Sequence, residues 1–298
     1  MHTAAIRAAH EFPLCAPLEY VARMRPGNPH DPLLRQVLPI EQELVEVPGY
    51  RVDPVDDKPA TVCPGLLKKY SGRALIVATT CCAVHCRYCF RRHLTRQCQP
   101  RPSALGHSTL TALSGDPSVE EVLLSGGDPL TLPDEHLTEL IGRLSRIPHL
   151  RRIRVHSRLP VVIPRRVTEQ LPAILRSTRL TPILVVHSNH PNELDSDVAR
   201  AAARLVDGGI PVLNQSVLLR GVNDCAETLI QLCQRLVDMR IMPYYLHQLD
   251  PVACAAHFQV PIARGRRLIA QLRAALPGYA IPRYVQELPG HTGKKVLA

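Results

Sequence analysis

Three cysteines stand in the stretch Cys82-Ala83-Val84-His85-Cys86-Arg87-Tyr88-Cys89, directly after the apolar run Ala74-Leu75-Ile76-Val77-Ala78, and no other feature restricts the chain so severely. Three thiolates on one tight loop hold three corners of an iron-sulfur cube, and with no fourth cysteine in register the last iron stays open for chemistry. Closed structural zinc usually takes two CxxC-type pairs, and neither a second pair nor a nearby Cys/His pair is present. Cys81 adjoins the motif, but its side chain is expected to point away from the site that Cys82 serves, so it is given no ligand role.

The remaining composition fits such a loop. A length of 298 residues suffices for one large α/β core, and 45% hydrophobic content is ordinary for a globular enzyme. Residues 1–11 lack the charged-then-apolar pattern of an export signal, and no apolar run approaches the roughly 20 residues that span a bilayer. A cytoplasmic protein without a membrane partner is therefore expected. Ten cysteines in so long a chain read as reduced thiols and a metal cluster rather than a disulfide framework. The formal charge of +10 would suit nucleic acid, but it is spread along the chain, and three Phe and no Trp leave little to stack on bases. A basic enzyme handling anionic cofactors is the expectation, with no nucleic-acid partner.

Ten prolines lie in residues 1–64, which restricts helices there to short ones around Leu18 to Arg25 and Pro32 to Glu46. This is a wrapping extension, 1–70. From Arg73 the pattern becomes short apolar strands alternating with amphipathic helices, the rhythm of a parallel sheet. Strands are expected near 74–79, 120–125, 151–156, 182–187, 211–218 and 241–246, with helices near 107–115, 133–146, 166–177, 192–208 and 224–239. Six such units make an α/β, open, partial TIM-like barrel over 71–250, with functional groups at the C-terminal ends of its strands. The last segment, 251–298, passes through an expected strand, Arg283 to Glu287, into a loop, Pro289 to Lys295, shaped to present a lysine.

The cysteine loop resembles that of the radical S-adenosylmethionine (SAM) enzymes, and the string from Cys86 to His93 is similar to the lysine 2,3-aminomutase family, in particular its branch that supplies β-lysine for elongation factor P. The likeness runs from about Gly65 to Lys294. It implies a partial (β/α)6 radical SAM barrel and three cofactors: a 4Fe-4S cluster, SAM and pyridoxal 5'-phosphate (PLP).

Residue by residue, the resemblance implies Cys82, Cys86 and Cys89 as cluster ligands. The run Ser125-Gly126-Gly127-Asp128 matches the element that binds the SAM amino group; on its own, two glycines permit close backbone approach and a carboxylate accepts from an ammonium. His187 and Gln215 match positions holding the carboxylate and ribose region of SAM, where alone each reads as a satisfied polar residue inside a barrel. His156, Ser157 and Arg158 are expected at the same mouth, without assigned roles. Lys294, in the Pro-Gly-x-x-Gly-Lys run, matches the lysine that forms a Schiff base with PLP, although a lysine near a terminus is more often a solvated charge. Lys69 and Arg73 match the grip on the PLP phosphate, with Lys69 where some relatives carry Arg. Arg91 matches the clamp on the substrate α-carboxylate, and Asp250 and Glu287 match the acids that bind its distant ammonium, Glu287 standing where some members have Asp. His291 and Thr292 replace glycines of some relatives.

The implied reaction is isomerisation of L-α-lysine to β-lysine, with an external electron donor and, by family resemblance, a homodimer. Two other functions are set against it: a radical SAM enzyme modifying RNA, and a non-enzymatic zinc-binding interaction module. Within the family, free β-lysine biosynthesis is the alternative to supplying elongation factor P and its lysine ligase. No cysteine follows Cys254 and the chain ends soon after Lys294, which favours the elongation factor P branch.

Overall fold

The computed structural model describes residues 2–93 and 106–298. Among the described residues one sheet holds all ten strands in chain order: β1 (Thr61–Cys63), β2 (Leu66–Tyr70), β3 (Arg73–Thr79), β4 (Glu121–Gly126), β5 (Arg152–Ser157), β6 (Thr181–His187), β7 (Val212–Val217), β8 (Met242–His247), β9 (Arg283–Gln286) and β10 (Lys295–Val296). Pairing is parallel from β3 to β9. Antiparallel hairpins flank this run, β1–β2 with β2 on β3 at one side and β9–β10 at the other. The two outermost strands, β1 and β10, do not pair with each other, so the sheet is an open, partial barrel.

The parallel run follows from the crossovers. Helices α4 (His107–Ser114), α5 (Asp134–Ser145), α6 (Leu159–Val162), α7 (Gln170–Leu175), α8 (Ser196–Asp207), α9 (Ala226–Asp238) and α10 (Ile262–Ala275) lie between successive strands, and a helical crossover returns the chain to the same edge, which only parallel pairing permits. In α8 the side chain of Asp195 caps the first turn by accepting from the amides of Asp197 and Val198. Val198, Ala201, Ala202 and Leu205 then recur at helical spacing and are buried against the sheet. Strand β3 alternates: Ala74, Ile76 and Ala78 point into the core beneath the helices, and Leu75 faces the interior of the barrel.

Residues before β1 form α1 (His2–Glu11), α2 (Leu18–Val21), α3 (Pro32–Arg35) and a 3-10 turn at Glu41–Leu44. Among the described residues no helix is long and apolar enough to cross a membrane.

Candidate active site

Consecutive strands deliver the site by their C-terminal ends. Past β3 the chain turns into the cysteine loop; Ser125 and Gly126 end β4, His156 and Ser157 end β5, His187 ends β6, Gln215 lies in β7, His247 ends β8, and Glu287 follows β9. These residues, with Cys82, Cys86, Cys89, Lys69, Arg73, Arg91, Gly127, Asp128, Asp250 and Lys294, line one cavity of about 460 Å3. Every residue given a candidate role from the sequence lines it.

At one end lie the three thiols, none of them in a disulfide. Burial pushes the thiols of Cys82 and Cys89 up, Cys89 to about 11, with the neighbouring sulfurs adding to the effect. Among the described residues, no three His, Cys, Asp or Glu side chains converge as ligands of one metal ion. A cube asks something different, since each thiolate meets its own iron. Three free thiols on one loop, beside the buried guanidinium of Arg158, fit such a group.

The N-terminal segment holds the cysteine loop in place. Arg87, fully buried, donates to both carboxylate oxygens of Glu43 at 2.8 and 2.6 Å and to the Phe12 carbonyl at 2.6 Å, and Arg92 reaches Glu43 at 2.7 Å. The Arg87 amide donates to the Gln36 carbonyl at 2.9 Å. The Gln36 side chain accepts from Arg158 at 2.8 Å, Asn189 at 3.0 Å and Tyr88 at 3.2 Å. Tyr88 also meets His187 Nε2 at 2.9 Å. Burial, with Arg158 nearby, lowers the His187 imidazole to about 3, so it is neutral.

In the Gly126-Gly127-Asp128 turn both the glycines and the carboxylate are engaged by the protein itself. A Cβ on Gly127 would lie 2.2 Å from the Cys81 carbonyl oxygen, and one on Gly126, whose φ is +108°, would lie 2.7 Å from that of Thr79. The glycines let this turn pack against the cysteine loop, before any ligand approaches. The Asp128 carboxylate accepts from Ser157 Oγ and the Arg158 amide at 2.7 Å each, the Leu130 amide at 3.0 Å and the Leu159 amide at 3.2 Å. Its acceptor positions are filled by the protein, so it staples β4 to β5.

The opposite end is ionic. The β9–β10 hairpin pairs Lys295 with Gln286, which returns the chain so that Lys294 Nζ donates to Glu287. Tyr70 donates to the other Glu287 oxygen at 2.5 Å. Burial would raise Glu287, but Lys294, Tyr70 and Lys69 hold it below the usual carboxylate range. Among the described residues Asp250 has no such close donor, and it is pushed up to about 7 by burial, with Lys294 opposing. Lys69 sits 2.6 Å from Asp57 and donates to the Val55 carbonyl at 2.6 Å, so its charge is committed within the protein. Arg73 lies over the Tyr70 ring, 4.7 Å from its centroid. Between the two ends, Arg91 is anchored by Nε to Asp57 at 2.7 Å and by one terminal nitrogen to Ser125 Oγ at 3.3 Å. Beside it, burial keeps His156 and His247 well below their usual range and therefore neutral, and among the described residues His156 Nε2, buried, finds no hydrogen-bond partner.

Sequence reasoning missed Asp57, Tyr70, Gln36 and His247. Asp57 and Gln36 lie in a proline-rich segment with no periodicity, and their partners are far along the chain; only the pairing of basic Lys69 and Arg91 without a nearby acid could have prompted a search for Asp57.

A 4Fe-4S single cluster domain model matches residues 71–153, which bracket the cysteine loop. The L-lysine 2,3-aminomutase of Escherichia coli is 44% identical over 96% of this chain and 83% of its own length. That of Haemophilus influenzae is 41% identical over 98% and 87%. The chain belongs to the lysine 2,3-aminomutase family. It is an enzyme of the isomerase class. The fold agrees with that of a radical SAM methyltransferase from Sphaerobacter thermophilus, which superposes with a TM-score of 0.53 at 20% identity over 74% of this chain and 68% of the other. The L-lysine 2,3-aminomutase of Clostridium subterminale is 38% identical over 92% of this chain and 66% of its own length.

Proposed function

We propose that this chain converts L-α-lysine to β-lysine with a 4Fe-4S cluster on Cys82, Cys86 and Cys89, SAM in the adjoining part of the cavity, and PLP on Lys294. The observation that carries this reading is that the cysteine trio and Lys294, from opposite ends of the barrel sequence, line the same cavity of about 460 Å3. The names of the relatives support lysine as substrate. When bound, cluster and SAM supply hydrogen-atom abstraction, and PLP supplies conjugation to the migrating nitrogen.

The chain's own residues orient and shield. Arg91, held on one edge by Asp57 and Ser125, offers its remaining nitrogen to the α-carboxylate. Glu287 and Asp250 receive the distant ammonium, a reading supported by the contact of Lys294, itself a primary ammonium, with Glu287. Arg73 is the better phosphate partner of the two basic residues before β3, because Lys69 is committed to Asp57. For the SAM amino group, the backbone carbonyls of the Ser125–Gly127 turn suit better than Asp128, whose oxygens are filled. Neutral His187 and Gln215 offer hydrogen bonds to the rest of SAM without adding charge. Leu75, Leu123, Val217 and Leu249 line the walls and exclude water, which strengthens each charged contact.

We also propose a cytoplasmic enzyme reduced by an external low-potential donor, whose product is joined to elongation factor P by that factor's lysine ligase; the likeness of the Cys86 to His93 string to that branch supports this destination. The test is anaerobic reconstitution with iron, sulfide, PLP, SAM and reductant, followed by chromatography of the products from L-lysine. β-Lysine formed only with all components is the expected result. SAM cleavage with no isomer of lysine, or no PLP absorbance, would overturn the proposal.

A further inference from the structure

We infer that Arg158 is a positioning residue for the cluster: its guanidinium donates to Cys86 Sγ and thereby raises the reduction potential of the iron-sulfur group. The inference rests on the reading of Cys86 as a cluster ligand and deepens it.

Arg158 directly follows β5, at the N-terminus of α6, and is 6% exposed. One terminal nitrogen donates to Cys86 Sγ at 2.8 Å. The other is held by Gln36 Oε1 at 2.8 Å, Glu193 Oε2 at 3.0 Å and the Tyr20 hydroxyl at 3.3 Å. The Arg158 amide is fixed separately on Asp128. The guanidinium therefore cannot turn away from the sulfur without breaking a buried network. Glu193 is itself locked by the amides of Asn189 at 2.9 Å and His190 at 3.0 Å and by the Gln36 amide at 3.1 Å.

Taking up one electron makes the cluster more negative, and an N–H aimed at a ligand sulfur stabilises the form with greater charge on sulfur. Glu193 offsets much of the long-range charge of Arg158 but not the directed bond, so the effect is carried by geometry. Because Tyr20 and Gln36 belong to the N-terminal segment, that segment helps set the aim. This gives the proline-rich extension a task in the chemistry, though none of its residues needs to touch substrate.

The experiment compares the wild-type chain with Arg158→Lys and Arg158→Gln, each loaded anaerobically with iron and sulfide, in an electron paramagnetic resonance titration against dithionite with mediators. Metal content and circular dichroism are measured alongside. In Arg158→Gln the reduced-to-oxidised ratio at fixed potential should fall on the order of tenfold, a shift of about 59 mV for a one-electron couple. Arg158→Lys keeps the cation without the planar fork and should fall between. An unchanged potential in either loaded variant overturns the inference. So does failure of both variants to hold a cluster that the wild type holds, since Arg158 would then be structural only. If the wild type itself binds no iron and sulfide, the underlying reading of the cysteines fails, and the inference with it.

Discussion

The two ends of the cavity are built by opposite means. At the cysteine end a short local motif supplies the chemistry, and a large neutral or internally compensated network, Gln36, Tyr88, His187, Arg158 and Glu193, holds it still. At the lysine end the local Pro-Gly-x-x-Gly-Lys run supplies only Lys294, and its partners are distant: Asp57, Lys69, Tyr70, Asp250, Glu287 and Lys294 come from four separated segments and meet as charges. A cluster must be gripped in one geometry, which a rigid surround provides. A site that exchanges an ammonium needs partners whose charges are balanced but replaceable. The difference separates rigidity from ionic adaptability within one barrel.

The sharpest break in this comparison is to disable each end alone. Cys86→Ala should abolish iron and sulfide binding and all turnover while retaining the visible absorbance of PLP on Lys294. Lys294→Ala should do the reverse: a full complement of iron, with no PLP adduct and turnover lowered by roughly 10^3 or more, as expected when a covalent group is removed. Loss of both cofactors in both variants, read by metal analysis and absorbance, would mean the ends are not independent.

A second test falls on the rigid end. Gly127→Ala forces a methyl onto the Cys81 backbone, where 2.2 Å is available, and no flexible side chain can yield. The expected outcome is a destabilisation of about 1–3 kcal/mol, the usual range for overpacking, read by thermal unfolding, together with incomplete iron loading. Gly293→Ala, at a glycine of the lysine end with open space around it, should leave melting and metal content unchanged.

The ionic end should fail by affinity. Glu287→Gln keeps the shape but removes the charge, and truncating a buried charge pair costs about 2–5 kcal/mol. For lysine that is a rise in KM of roughly 30-fold or more, with the cluster signal intact. An unchanged KM would remove Glu287 from substrate recognition.

How legible each end was in the sequence follows the same division. The cysteine trio and the seven parallel strands were readable because spacing and apolar runs are local signals. The β9 strand in the tail, read from Arg283 onward, takes its place as the seventh. Helix α10 was not read, in part because Gly265 sits within it and reads as a breaker; the Tyr284 ring fills the space a side chain would need, with its hydroxyl 2.3 Å from the missing Cβ. The helices expected at 166–177 and 192–208 are shorter, since Pro164–Arg166 and Pro191–Glu193 form 3-10 turns. Lys294 and Glu287 could be named from the loop pattern, but not their contact, which depends on a hairpin register. Gln36 and Arg158 are 122 positions apart, and no pattern in either neighbourhood anticipates the other.

The smallest and most specific test uses acidity to distinguish the two acids of the ionic end. Asp250 is pushed up to about 7 by burial, whereas Glu287 lies below the usual range because Lys294 and its neighbours outweigh its burial. Below about pH 7 Asp250 is therefore neutral while Glu287 stays charged; above it both are charged. A substrate ammonium binds the charged carboxylate, so lysine affinity should rise as pH rises through 7, by up to tenfold per unit on the acid side, and binding near pH 7 should release a proton. Calorimetry in buffers of different ionisation heat, on the enzyme before PLP is added, when Lys294 carries the free ammonium these shifts depend on, measures that proton directly. Asp250→Asn should weaken binding and flatten the pH dependence together, whereas Glu287→Gln should weaken it and leave the slope near pH 7 in place. A slope that survives Asp250→Asn would assign the titration to another group and show that the two acids do not divide the work in this way.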